Sequence, residues 1–99
     1  MEFIRVEADY QPPDDELPTL MFIEVDPQRW PTRQIDVFAD GRIEWLTVRE
    51  LATFIPAQVP SVDSINEDPT FVAAVINREE FEEAWANALQ AGRAQPRWD

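Results

Sequence analysis

The first half of the chain alternates apolar and polar positions with period two, and its last third carries a helical repeat. From Glu2 to Asp9 the alternation predicts a strand with Ile4, Val6 and Ala8 on one face. Phe3, Arg5, Glu7 and Asp9 take the other. Leu20 to Asp26 predicts a second strand, with Met21, Ile23 and Val25 inward and Phe22 and Glu24 outward. Between them, Pro12-Pro13 bars regular structure and Asp14-Asp15-Glu16 is solvated, so Tyr10 to Pro18 is a loop. Pro27 and Pro31 bracket the next connection, which carries Arg29 and Trp30.

The stretch Arg33 to Thr47, RQIDVFADGRIEWLT, is a hairpin by its turn chemistry. A two-residue Asp40-Gly41 loop would set Val37 against Glu44 and Asp36 against Trp45. A three-residue Ala39-Asp40-Gly41 loop, with Gly41 left-handed in a bulge, sets Val37 against Ile43 and Ile35 against Trp45. Only the second arrangement yields one apolar face, since a slip of one residue swaps every side chain to the other side. Its cost is Asp36 opposite Glu44, with Arg42 near enough to relieve the pair. Both acids are then expected on a face turned away from the core.

Beyond the hairpin, Thr47 and Glu50 form a capping box, Leu46 and Leu51 a staple, and Val48, Leu51, Ala52 and Ile55 follow helical spacing. These predict a short helix ended by Pro56, with a strand through Phe54 as the alternative. Ser61 to Asp68 predicts one or two helical turns burying Val62 and Ile65. Phe71 to Ile76, apolar almost throughout, predicts a strand covered on both sides. Asn77 caps a helix from Arg78 to Ala91, where Phe81, Ala84, Trp85, Ala88 and Leu89 make one stripe and Gly92 ends it. Phe81 and Trp85 are core. Trp30 and Trp98, each beside an arginine, are either binding anchors or lids. Together these elements predict a single α+β domain over residues 1–99. It is an antiparallel four- to five-stranded meander with the C-terminal helix on one face and one or two short helices.

Composition narrows the chemistry. Hydrophobic residues make up 44%, enough for a core and too many for a disordered acidic tail. Cys, His and Lys do not occur, which removes thiol, imidazole and Schiff-base chemistry. Ser61 and Ser64 have no partner but carboxylates. Asp14-Asp15-Glu16 lacks the spacing and glycine turn of a calcium loop, and Asp36 with Glu44 makes a solvated face sooner than a glycosidase dyad. No catalytic, metal or cofactor site is therefore expected. Net charge is −12, with eleven acids and four Arg in residues 1–47 and nine acids and four Arg in 48–99. That field disfavours nucleic acid and anionic membranes and favours a basic protein partner. Met1 leads into an amphipathic strand and no run has the length of a membrane span, so a cytoplasmic location is expected.

With the hairpin in the bulged register, an outer sheet face is predicted from Phe3, Arg5, Glu7, Phe22, Glu24, Asp36, Phe38, Arg42 and Glu44. Mixed aromatic and charged composition suits an interface. Arg5, Glu7, Phe22, Glu24, Asp36, Phe38, Arg42 and Glu44 are the expected partner-binding residues.

Ile35-Asp36-Val37-Phe38-Ala39-Asp40-Gly41-Arg42, then Ile65-Asn66-Glu67-Asp68-Pro69-Thr70-Phe71, then Glu79-Glu80-Phe81-Glu82 with Trp85, resemble a family of small bacterial domains. Its members share an F-x-DGR hairpin, an IN-x-DP-x-F segment and an EEFE-x-x-W helix. The resemblance covers roughly residues 20–86 and departs at Val48–Val59, where the family is usually Gly-rich. It carries no established activity. By analogy, small size and acidity are similar to immunity proteins that neutralise bacterial toxins. The expected function is a non-enzymatic acidic protein of immunity or antitoxin type that binds a basic toxin or effector. The alternatives are a structural or regulatory module acting as a homo-oligomer, homodimer included, and a nucleic-acid mimic.

Overall fold

The computed structural model describes residues 1–54 and 57–94. Strands β1 (Glu2–Ala8), β2 (Leu20–Val25), β3 (Pro31–Val37) and β4 (Ile43–Thr47) form the expected antiparallel meander. Helix α1 (Val48–Phe54) and helix α2 (Val62–Asn66) follow, and β5 (Phe71–Ile76) then returns to pair antiparallel with β1. Helix α3 (Arg78–Ala91) ends at Gly92, and a two-residue β6 (Arg93–Ala94) runs parallel to β4. Strand order is β5-β1-β2-β3-β4-β6. The expectations for Ile55, Pro56 and Trp98 lie outside the described residues.

The hairpin has the bulged register. Val37 pairs with Ile43, Asp36 with Glu44 and Ile35 with Trp45. Gly41 sits at φ 90, the left-handed region that a side chain resists, and its N–H donates to Phe38 O at 2.9 Å. After β4 the chain turns directly into α1, so helix replaces the alternative strand there. Thr47 Oγ1 donates to Glu50 Oε2 at 2.6 Å across the box. Asn77 caps α3 by accepting from Glu80 N at 2.8 Å. Gly92 is needed for closeness rather than for φ. A Cβ there would lie 2.8 Å from both Ala88 O and Ile43 O, because the end of α3 abuts β4.

Two apolar layers flank the sheet where one was expected. On the first face Phe3 and Ile35, with Phe22, Val37, Ile43 and Trp45 beside them, receive Phe81, Ala84, Trp85 and Ala88 of α3. Phe3 and Phe81 rings lie 5.2 Å apart, and Trp45 meets Trp85 edge to face at 5.8 Å. On the second face Ile4, Val6, Ile23, Val25 and Ala73 are packed by Val59, Val62 and Ile65. Helix α1 packs on β3 and β4. Val62 and Ile65 are half-buried rather than buried.

Two expectations change. The β5 strand is an edge, not a strand covered on both sides, and Val72 and Val75 are 62% and 61% exposed. Leu89 is also exposed. At about 100° per residue it falls some 80° round the helix from Phe81, on the margin of the stripe.

Candidate functional site

The expected outer face does not exist as one surface. Pairing of Phe22 with Ile35 and Glu24 with Arg33 puts Arg5, Phe22 and Glu24 on the same face as the apolar side of the hairpin, under α3. Asp36 and Glu44 point to the other face, which is covered in its turn. They are 7% and 3% exposed. Phe38 is buried at the hairpin tip beneath the Arg42 guanidinium, 4.1 Å from the ring centroid. Of the eight expected partner residues, Glu7 and Arg42 are exposed, Arg5 and Phe22 are partly so, and Glu24, Asp36, Phe38 and Glu44 are buried.

Each buried member has a structural partner. Glu24 accepts from Arg33 Nε at 2.9 Å, Arg33 Nη2 at 2.7 Å and Thr32 Oγ1 at 2.7 Å. The Arg33 hydrogen bonds hold its carboxyl below the usual range. Arg33 continues to Glu82 at 2.8 Å and stacks within 4.9 Å of Phe81 and 5.1 Å of Trp85, tying β2 and β3 to α3. Arg5 Nη1 reaches Glu80 at 2.8 Å. Glu44 is met by Arg42 Nε at 3.8 Å and Arg93 Nη2 at 3.5 Å. Asp36 has a weaker partner, the Gln34 amide, whose Nε2 donates to Oδ1 at 2.8 Å. Burial pushes its carboxyl up to about 6; Gln34 opposes this and the Glu44 charge adds to it. Among the described residues no group of three carboxylates is placed to hold a metal ion, and no helix is long and apolar enough to cross a membrane.

Pairing occupies most of the described positive charge. Arg5, Arg29, Arg33, Arg42, Arg78 and Arg93 each lie 2.6–3.8 Å from a carboxylate of the same chain. A meander must put its first and third connections at the same end of the sheet, and those connections are acidic. Asp9 N–H donates to Thr70 O at 2.9 Å, Ala8 N–H to Thr19 O at 2.9 Å, and Thr19 N–H to Val37 O at 2.9 Å. Asp9, Asp14, Asp15 and Ala39 line one shallow depression there. This end therefore gathers Glu7, Asp9, Asp14, Asp15, Glu16, Asp40, Glu67 and Asp68, all exposed. Arg42 and Arg93 near it both turn to Glu44. The predicted loops held this signal, since each of these acids except Glu7 lies in or beside a connection that the meander topology brings to one end.

A family model described as a domain of unknown function (DUF6881) matches residues 2–90, from the start of β1 to the last turn of α3. The chain belongs to this family. No curated protein and no solved structure matches it. The DUF6881 span is wider than the resemblance over residues 20–86. It includes β1, which lies between β5 and β2 in the sheet, and every acid of the acidic end.

Proposed function

We propose that this chain is a non-catalytic acidic binding protein that captures a basic protein partner, in the manner of an immunity protein or antitoxin covering a basic toxin or effector. One observation carries the reading. The described arginines are largely consumed by internal ion pairs, while exposed acids collect at the end of the sheet beyond β1 and the hairpin. A surface of one sign accelerates encounter with a partner of the other and rejects like-charged competitors. Glu7 and Arg42 keep a contact role in this reading. Glu24, Phe22, Asp36, Phe38 and Glu44 support the sheet from within. Self-association through β5 is disfavoured by Asn66, whose amide occupies the N–H and C=O of Ala73 on the free edge at 2.6 and 2.9 Å.

The test is affinity capture with the full chain from cells that encode it, at low and high salt, followed by an activity assay of the captured protein. The expected result is a basic protein held at low salt, released as salt rises, and inactivated by an equimolar amount of this chain. Recovery of no basic protein at either salt would contradict the proposal.

A further inference from the structure

The second face of the sheet carries an open cavity of about 640 Å³, to whose lining the acidic end contributes Asp68 alone. Its size is that of a small-molecule site. Its body is apolar, formed by Val6, Met21, Ile23, Val59, Ile65 and Phe71. One wall, the chain from Ala57 to Pro60, is held in place. Arg29 O accepts from Val59 N at 2.7 Å, and the Arg29 guanidinium donates to Val59 O at 3.1 Å and Pro60 O at 2.7 Å. Gln58 Nε2 adds a bond to Gln28 O at 2.7 Å. Arg29 holds this clamp from the β2–β3 turn, where it adopts φ 72, an uncommon conformation for a residue with a Cβ.

Among the described residues a single deeply buried polar side chain lines the cavity. Gln34 is 8% exposed, and its Nε2 is spent on Asp36. At neutral pH the ionised Asp36 only accepts, so the amide turns its nitrogen to Asp36 and its oxygen away. Oε1 then has no partner among the described residues yet remains open to solvent, and the space Gln34 lines is the cavity. At the mouth stand the exposed Ser64 and Asp68, and none of the described arginines lines the site.

We propose that this cavity binds a small amphipathic molecule with an aliphatic or alicyclic body and one O–H or N–H donor, which it delivers to Gln34 Oε1. An acceptor at the base, an acid at the rim and no cation select alcohols and amines and reject carboxylates. This site shares only Asp68 with the basic-partner surface and its base at Gln34 lies apart from it, so either can fail alone.

The experiment is a heteronuclear NMR titration of the full chain with 1-octanol, n-octylamine and octanoate, which share one tail. The alcohol and amine are expected to shift the Gln34 side-chain amide and the methyls of Ile23 and Ile65 saturably, with octanoate about tenfold weaker or worse. Gln34→Met is expected to weaken the alcohol and amine about tenfold and abolish the preference over octanoate. If that variant does not fold, the head-group series on the native chain decides alone. Ser64→Trp, at an exposed position on the mouth, is expected to reduce binding of the alcohol and the amine. Absence of saturable shifts, octanoate binding as well as octanol, shifts mapping elsewhere, or undiminished binding to Ser64→Trp would each overturn the proposal.

Discussion

Asp36 is the residue on which the balance of forces is easiest to read. Its carboxyl is buried, faces Glu44 across the strand pair, and has a neutral amide for its hydrogen-bond partner. The folded form keeps a proton up to about pH 6, whereas the unfolded chain loses it near the ordinary value of 3.8. Between those values the native state binds more protons, so this group's contribution to stability falls as pH rises. The full penalty, reached above about pH 6, is about 3 kcal/mol. Asp36→Asn is therefore expected to stabilise the fold by about 1–3 kcal/mol at pH 7.5 and by progressively less toward pH 4. Urea unfolding at the two pH values checks this. Equal destabilisation at both would show that the carboxylate is needed for its geometry and not merely tolerated. Glu24 is the opposite case, equally buried and held ionised by Arg33. The sequence could not separate the two, because the partner of Glu24 arrives only when β2 and β3 pair.

The elements were legible where a local rule left one arrangement standing. The hairpin loop was one such place, since only the Ala39-Asp40-Gly41 turn gave an apolar face. The Asn77 cap and the stripe of α3 were another. The relation between elements was less legible. β2 is apolar on both sides, with Met21, Ile23 and Val25 on one and Leu20 and Phe22 on the other. Its pairing with β3 shifts register between Glu24 and Val25, where Thr32 becomes the extra residue. That shift sets which face of the hairpin joins which face of β1 and β2, and no period in the sequence reports it. The same uncertainty hid the edge position of β5. There the Asn66 amide, presented by α2, stands in for a missing strand. Asn66→Ala is expected to cost about 1–3 kcal/mol, by leaving Ala73 N–H and C=O without partners. It is also expected to loosen α2 and open the edge between the exposed Val72 and Val75 to another copy. Thermal unfolding with sedimentation velocity reads both effects. A variant as stable as the parent, with the same mass across concentration, would contradict the role of the plug.

At the scale of the whole molecule, charge is sorted by topology rather than by sequence. Along the chain the acids are nearly even between the halves. In the fold, connections that lie far apart in sequence meet at one end of the sheet, and six of the seven described arginines turn to buried or flanking carboxylates. This concentrates the field without any acidic run longer than Asp14-Asp15-Glu16. The expected functional face was wrong in place, because the aromatic and charged residues assigned to it are mostly interior. The acidic character itself reappears at a position the meander dictates. The most direct measurement compares two charge reversals of equal size as capture baits. Asp15→Lys with Glu67→Lys alters the acidic end, and Glu79→Lys with Glu83→Lys alters exposed positions on α3, which starts at the opposite end of the sheet. The expected result is that the first pair abolishes capture of a basic partner at low salt while the second retains it. Equal retention by both, or equal loss from both, would contradict a binding surface at the acidic end.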